Sequence, residues 1–269
     1  DERVLPNIRQ TARFIFGVSI IYLVLGTVCL AVVGMMEGIN VHKAFFHGLC
    51  IFMAAFDTGG FLPQQQSMIY YHSLPLEIVS MVVMILGSIN FRLHYVLWTG
   101  QLNEIRRDFE MITFFMSVMF LTALVTLGLT RMNIYQGWAA MFRKGFFQVV
   151  SAHTGTGFQT VYPAQFMHEW GSLALFGTIF AMALGGCANS TTGGIKALRL
   201  GIVGKSFISD VKQYVSPEAA VFFQKIHHIK DIILSEKQMR AACMIMLAYM
   251  GTFFVGGIMG MICGYPFVE

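Results

Sequence analysis

The sequence predicts an all-α integral membrane protein built from tandem repeats, and three observations support this prediction. The 269 residues are 56% hydrophobic and only 12% charged, which is about half the charged share of a soluble globular domain. Several apolar stretches approach or exceed the roughly 20 residues that a helix needs to cross a bilayer. The same features also recur 97 residues apart. The net charge of +4 does not by itself predict nucleic-acid binding, which needs basic residues clustered on an exposed face.

Five apolar stretches are predicted to span the membrane. They cover residues 14–36, 74–91, 111–130, 171–188 and 241–264. Two further apolar stretches, 44–56 and 138–150, are too short to cross a bilayer and are typical of re-entrant helices. Each short stretch leads into a glycine-rich polar loop that is followed by a proline, Pro63 or Pro163.

The order span, short helix, glycine-rich loop, span occurs twice. The pair Gly60-Phe61 lies 97 residues before Gly157-Phe158, and the same offset superimposes the flanking spans. We therefore expect one repeat over residues 1–100 and a second over 101–238. Residues 239–269 are expected to form the first span of an incomplete further repeat. Internal repeats of this kind are typical of membrane transporters with a shared pathway.

The distribution of basic residues predicts the orientation in the membrane. Fourteen of the 18 Lys and Arg residues fall before the first span, between the repeats, or in the segment between Lys196 and Arg240. The positive-inside rule places these segments in the cytoplasm. The glycine-rich loops then face the outside. The basic segment 205–238 is expected to be a membrane-surface helix or a docking face for a cytosolic regulator.

The two glycine-rich loops are the candidate cation site. Backbone that is not helical is tolerated at membrane depth only where it is buried in protein or lines water. Glycines let consecutive carbonyl oxygens point in one direction, and such oxygens can replace the hydration shell of a cation. The preceding short helix adds the partial negative charge of its C-terminus. The alternative is a plain tight turn between helices. The residues predicted to coordinate the ion are Thr58, Gly59, Gly60, Thr154, Gly155, Thr156 and Gly157, with Asp57 adding negative charge at the outer mouth.

A second glycine-rich segment, 185–196, interrupts the last span of the second repeat. Its four glycines with Asn, Ser and Thr cannot continue a helix that faces lipid, and helical spacing resumes at Ala197. Below a cation site this segment could obstruct or gate the pathway. A phosphate-binding turn is the alternative, although the P-loop pattern is absent. The residues predicted to form the gate are Gly185, Gly186, Asn189, Ser190, Thr191, Gly193 and Gly194.

Four stretches of this sequence resemble the Trk/Ktr/HKT superfamily of potassium transporters, and most of all its bacterial TrkH/TrkG pore subunits. They are DTGGF at 57–61, GSINFRLHY at 87–95, SAHTGTGFQT at 151–160 and GGCANSTTGGIKALR at 185–199. The resemblance implies a potassium-channel-like pore of M1–pore helix–filter loop–M2 repeats. The resemblance also implies that residues 57–61 and 154–158 are selectivity filters and that residues 185–196 form an intramembrane gating loop.

The resemblance also implies a place for each segment. Residues 1–100 resemble the second repeat of the family, 101–238 the third, and 239–269 the first span of the fourth. We therefore expect this chain to be a fragment of a longer gene product. The implied function is potassium uptake, with or without sodium transport, across the bacterial inner membrane, with no cofactor. The implied partners are lipid, a TrkA-type nucleotide-binding regulator and, at full length, a second copy of the protein.

Two other classes of protein are weighed against this interpretation. A secondary transporter of an organic substrate would have paired breaks inside spans of both halves, whereas the sequence predicts only one broken span. An intramembrane enzyme would need a nucleophile and base or a metal cluster, and neither HExxH nor GxSxG is present, so no enzymatic activity is expected. Six histidines are expected at the interface rather than at a metal, and His227 and His228 are expected to be solvated. The six are His42, His47, His72, His94, His153 and His168.

Overall fold

The computed structural model describes residues 7–216, 224–228 and 230–265. Those ranges fold into α-helices, one 3₁₀ turn (Ser67–Tyr71) and one antiparallel hairpin of strands β1 (Lys225–His228) and β2 (Lys230–Ile233). The helices in chain order are α1 (Ile8–Met36), α2 (Val41–Phe56), α3 (Leu74–Ser88), α4 (Phe91–Trp98), α5 (Leu102–Arg107), α6 (Phe109–Met132), α7 (Trp138–His153), α8 (Pro163–Glu169), α9 (Gly171–Ala183), α10 (Ala197–Val215) and α11 (Glu236–Ile262).

Three helices of the described chain are long and apolar enough to cross a membrane. They are α1, α6 and α11, with mean hydropathies of 2.5, 2.2 and 1.8 over their most apolar windows. Less than half of each window is buried inside the protein, as expected for helices whose outer surface faces lipid rather than water. The helices α2 and α7 are shorter, at 16 residues each, in keeping with the predicted re-entrant segments.

Two of the predicted spans are shorter than the sequence suggests. The predicted span 74–91 ends as α3 at Ser88, and the chain bends by 108° into α4, whose first turn is capped by the Asn90 side chain. The predicted span 171–188 ends as α9 at Ala183. The carbonyl groups of Gly87 and Ser88 accept hydrogen bonds from the amides of Thr191 and Cys187. These contacts come from the segment 185–196, over 90 residues away, and so could not be predicted from the local sequence.

The expectation of a single broken span is therefore wrong. The second span of the first repeat bends after Ser88, and Ser88 lies 97 residues before Gly185. The same offset separates both ends of α2 from those of α7, and the start of α3 from that of α9. The helices of the two predicted repeats are thus arranged alike, although the second break holds a long loop and the first only a sharp bend.

Close backbone contacts bring the helices of each repeat together. A side chain at Gly48 of α2 would meet the carbonyl oxygen of Thr27 in α1 at 2.9 Å, and one at Gly128 of α6 would meet the amide of Ala174 in α9 at 2.7 Å. Small residues permit such approach between membrane helices. One buried core then runs through both repeats, from Leu30 to Ala197, and holds the two glycine-rich loops side by side.

The basic segment 205–238 is not one surface helix. The helix α10 ends at Val215, the hairpin β1–β2 follows, and α11 begins at Glu236 after a Ser235 capping box. Residues 217–223 lie outside the described residues. The hairpin carries His228 into the protein, where only 4% of the residue is exposed. The expectation that His228 is solvated is therefore wrong.

Candidate functional site

The two glycine-rich loops have the same backbone structure. The amides of Gly59 and Gly60 both donate to the carbonyl oxygen of Ala54, at 2.9 and 3.2 Å. The amides of Thr156 and Gly157 both donate to that of Ser151, at 3.0 and 3.3 Å. Each pair of donors and each acceptor are again 97 residues apart. The loops therefore turn back over the C-terminus of α2 and α7 in the same way.

Backbone dihedral angles alternate along both loops. Thr58 and Gly60 have φ of 53° and 73°, and their counterparts Gly155 and Gly157 have φ of 73° and 82°. These left-handed conformations favour glycine. Among the residues that the structure describes, none donates a hydrogen bond to a carbonyl oxygen of 57–60 or 154–157. Each loop thus turns its amides towards the helix that precedes it and leaves its carbonyl oxygens available.

The two candidate filter loops touch each other. A Cβ atom added at Gly60 would overlap the carbonyl oxygen of Thr156, so the loops meet backbone to backbone. In the second loop the hydroxyls of Thr154 and Thr156 lie 2.8 Å apart, and both residues are buried. In the first loop Gly59 and Asp57 are exposed. The structure therefore brings the two predicted groups of coordinating residues together, with Asp57 at the exposed end of α2.

The predicted gating segment is a closed loop. Leu184 and Ile195 form a parallel bridge, with the Gly185 amide donating to the Ile195 carbonyl oxygen at 2.9 Å and the Ile195 amide to that of Ala183 at 3.1 Å. A Cβ atom at Gly185 would overlap the carbonyl oxygen of Gly193. Gly186 is also buried, whereas Gly193 and the left-handed Asn189, with φ of 52°, are exposed. The chain therefore leaves the helical path at Leu184 and returns to it at Ala197, one residue after Lys196.

The predicted gating segment sits directly against the first candidate filter loop. The Thr191 hydroxyl lies 2.7 Å from the carbonyl oxygen of Phe56 and 2.8 Å from that of Gly87. The Thr58 hydroxyl donates to the Thr191 carbonyl oxygen at 3.2 Å. The Ser190 hydroxyl stays within the segment and meets Cys187 and Thr192. Thr191 is thus the member of the predicted gate that joins it to the filter loop and to the end of α3.

A buried polar cluster at the base of α6 was not predicted from the sequence. One carboxylate oxygen of Asp108 caps α6, and the other lies 3.0 Å from Nδ1 of His228. Oε1 of Glu110 accepts the amide of Ala188, in the gating segment, at 2.5 Å. Possible ligand atoms of the three ionisable residues lie within 4.8 Å of one another, which a cation could bridge. Acidic residues are common at the start of a helix. The one sequence signal for this cluster is that Asp108 and Glu110 both lie at the start of an apolar span.

Three of the histidines expected at the interface are buried instead. Exposed fractions are 8% for His47, 2% for His94 and 0% for His153. Each has a polar neighbour: Nδ1 of His47 lies 3.0 Å from the Tyr71 hydroxyl, Nδ1 of His94 lies 3.2 Å from that of Tyr22, and Nε2 of His153 lies 2.8 Å from that of Ser117. They pack between helices as core residues.

Replacing His228 with alanine is expected to destabilise the protein by about 3 kcal/mol, because it leaves the buried Asp108 carboxylate without this partner. The matched control is His227→Ala, whose ion pairs with Asp231 and Glu104 are partly exposed and whose loss is expected to cost less than about 1 kcal/mol. Thermal unfolding in detergent would compare the two variants. Equal losses would contradict a structural role for the His228–Asp108 contact.

The hairpin's attachment to α5 is expected to weaken as pH rises. Hydrogen bonds to Asp231 and Glu104 raise the pKa of His227 above its ordinary value. A raised pKa means that this contribution is complete below the ordinary value of about 6.5 and is lost as pH rises through the higher folded value. Hydrogen exchange of the hairpin amides, corrected for intrinsic rates, should therefore increase with pH. The variant His227→Gln should lose this dependence, and its persistence would contradict the assignment to His227.

Comparison with known proteins identifies relatives over nearly all of the chain. A family model described as TrkH, Cation transport protein, matches residues 1–264. The Trk system potassium uptake protein TrkH of Escherichia coli is 29% identical over 81% of this chain and 43% of its own length. The corresponding TrkG protein of Escherichia coli is 26% identical over 100% of this chain and 52% of its own length. An uncharacterized cation transporter of Methanocaldococcus jannaschii is 27% identical over 98% of this chain and 50% of its own length.

A solved structure shows the same fold. The crystal structure of the potassium transporter TrkH from Vibrio parahaemolyticus matches with a TM-score of 0.77 and 24% identity, over 96% of this chain and 52% of that one. The chain thus spans about half the length of the relatives it matches. The apolar helices and these relatives make it a multi-pass membrane protein, and the resemblance inferred from its motifs is confirmed. The chain belongs to the TrkH family of cation transport proteins.

Proposed function

We propose that this chain forms part of a potassium uptake pathway across the cytoplasmic membrane. The observation that supports the proposal best is the matched pair of loops at 57–60 and 154–157, which meet at Gly60 and Thr156 and leave their carbonyl oxygens available. Potassium is proposed as the ion because two of the relatives are named potassium uptake proteins. The whole pathway, its ion and its partners are proposed here from these two sources together.

The chemistry of the loops suits a dehydrated monovalent cation. Carbonyl oxygens that face one pathway can replace the water around potassium. The C-termini of α2 and α7 add partial negative charge beside them. The exposed carboxylate of Asp57, at the end of α2, is proposed to raise the local concentration of cations at the outer mouth. The hydroxyls of Thr58, Thr154 and Thr156 offer further oxygen atoms.

The segment 185–196 is proposed to gate the pathway. Its Thr191 attaches it to the end of α2, immediately before the first filter loop. A segment in that place would obstruct ions while it is attached and admit them when it moves away. The proposed partners are a TrkA-type nucleotide-binding regulator on the basic cytoplasmic side and a second copy of the full-length protein. The bacterial inner membrane is the proposed location, and no cofactor is proposed.

The alternative, transport of an organic substrate, needs a binding cavity between broken helices. The break after Ser88 and the break at Leu184 do face each other, which gives this alternative a second broken span. Yet the two breaks are joined directly, with the Cys187 amide donating to the Ser88 carbonyl oxygen at 2.9 Å and Gly186 too close to Ser88 for a side chain. Backbone fills the place that a substrate would occupy there.

The decisive experiment is uptake of rubidium and sodium by cells that lack their own potassium uptake and express the protein at native length. Rubidium uptake that excess sodium inhibits only weakly would support the proposal. Cells with the empty vector give the background. Stable insertion in the membrane without uptake of either ion, with and without a coexpressed regulator, would favour the organic-substrate alternative.

A further inference from the structure

A charged cluster joins the two repeats on the side that the basic residues predict to face the outside. Glu77, in the first turn of α3, is only 3% exposed. Oε2 of Glu77 lies 2.6 Å from Nε of Arg143, and Oε1 lies 3.5 Å from Nζ of Lys144. Both cations belong to α7, the helix that carries the second filter loop. A carboxylate of the first repeat therefore holds two basic residues of the second.

Lys144 makes one contact that Arg143 does not. Its ammonium group donates to the carbonyl oxygen of Thr160 at 2.9 Å. Thr160 is buried and lies three residues beyond Gly157, where the chain leaves the filter loop. A hydrogen bond from a charged donor is roughly twice as strong as a neutral one. The charged ammonium group of Lys144 thus stabilises the backbone that follows the proposed filter loop.

The same stretch of backbone is held by four other hydrogen bonds, from α7 and from the 3₁₀ turn. The Ser151 hydroxyl donates to the Phe158 carbonyl oxygen at 2.8 Å. Gln159 bonds through both its amide and its carbonyl group to the 3₁₀ turn of the first repeat, at 2.9 and 3.1 Å. The Thr160 amide donates to the Gln148 side chain at 3.3 Å. Residues 158–160 are therefore clamped, and Lys144 provides the charged contact of the clamp.

We propose that Lys144 is a positioning residue for the second filter loop, because its ammonium group joins the Glu77 carboxylate of the first repeat to the Thr160 carbonyl oxygen. The carbonyl oxygens of 154–157 are fixed at one end by the amides bonded to Ser151 and at the other by this clamp. A loop fixed at both ends holds its oxygens at a constant separation, which distinguishes potassium from the smaller sodium ion. This inference rests on the proposed function.

Among the described residues of the first repeat, no contact corresponds to that of Lys144 with Thr160. The position that corresponds to Lys144 is His47, and its Nδ1 lies 3.0 Å from the Tyr71 hydroxyl rather than from a filter backbone atom. The position that corresponds to Thr160 is Pro63. The charged clamp is thus particular to the second loop, and its effect is expected to be confined to that loop.

The test compares Lys144→Met with Arg143→Met in the rubidium and sodium assay. Both variants remove one cation from α7 and one partner from Glu77, but only the first frees the Thr160 carbonyl oxygen. We expect Lys144→Met to reduce the preference for rubidium over sodium by about tenfold, the effect of one charge-assisted hydrogen bond. Arg143→Met is expected to change that preference by less than about twofold, because the contact of Arg143 is with Glu77 and does not reach the backbone that follows the filter.

The outcomes separate this inference from the proposed function. An unchanged preference in Lys144→Met, or an equal change in both variants, would overturn the positioning role. Where Lys144→Met is absent from the membrane, Lys144→Arg and Gln148→Leu replace it. The first should keep the preference and the second should reduce it, and the opposite result would also overturn the inference. Failure of the unaltered protein to take up rubidium would instead count against the proposed function.

Discussion

Replacing Gly60 with alanine is expected to abolish selective rubidium uptake. The backbone at Gly60 has φ of 73°, which costs an alanine about 1 kcal/mol. The larger effect is steric, because the new Cβ atom would overlap the carbonyl oxygen of Thr156. A backbone oxygen cannot rotate away as a flexible side chain can, so one of the two loops must move. Displacement of either loop changes the separation of the oxygen atoms proposed to bind the ion.

Two neighbouring glycines provide matched controls for Gly60→Ala. Gly59 has no left-handed φ and only the Phe61 ring near its added Cβ atom, at 3.8 Å, so Gly59→Ala is expected to transport like the unaltered protein. Gly157 has φ of 82° but nothing within 4 Å, so Gly157→Ser is expected to alter the preference for rubidium over sodium without stopping uptake. Native selectivity in Gly60→Ala would contradict the assignment of this loop.

Deleting Asn189–Thr192 is expected to raise the rate of rubidium uptake, because it removes Thr191, which attaches the proposed gating segment to Phe56 of α2 and to Gly87 of α3. Thr191→Val tests the same contact with a side chain of similar shape. It removes a hydroxyl that lies within 2.8 Å of two carbonyl oxygens. A hydrogen bond contributes about 1 kcal/mol, which would change the open fraction about fivefold.

Ser190→Ala is the matched control for Thr191→Val. It also removes one hydroxyl, but within the described part of the chain that hydroxyl bonds to Cys187 and Thr192, both inside the segment. Uptake by Ser190→Ala is expected to rise less than uptake by Thr191→Val. Rates in the deletion and in Thr191→Val that match the unaltered protein, at equal amounts in the membrane, would exclude a gating role for 185–196.

The helices and their order could largely be predicted from the sequence. The length of each apolar stretch and the position of its glycines determine where a helix forms and ends. The short helices α2 and α7 end at Phe56 and His153, within three residues of the predicted ends. The early end of α3 at Ser88 could not be predicted, because it depends on hydrogen bonds from Cys187 and Thr191. Apolar composition alone permits a longer helix there.

The candidate site was predicted as separate groups of residues, and the structure adds their contacts. Glycine spacing marks both loops, yet nothing in the spacing indicates that Gly60 meets Thr156 or that Thr58 meets Thr191, 133 positions away. His228 was also predicted to be solvated, because the residues next to it in the sequence are charged. Its partner Asp108 comes from another element, so the burial of His228 follows from tertiary structure alone.

The bridge between Leu184 and Ile195 lets the length of the segment between them change. Because the two ends of the loop are neighbours, the residues between them add nothing to the distance from α9 to α10. Insertions or deletions there leave both helices where they are, and the free energy of closing a loop changes only slowly with its length. The length of this segment can therefore change while α9 and α10 stay in place, and a shortened version should still insert and fold.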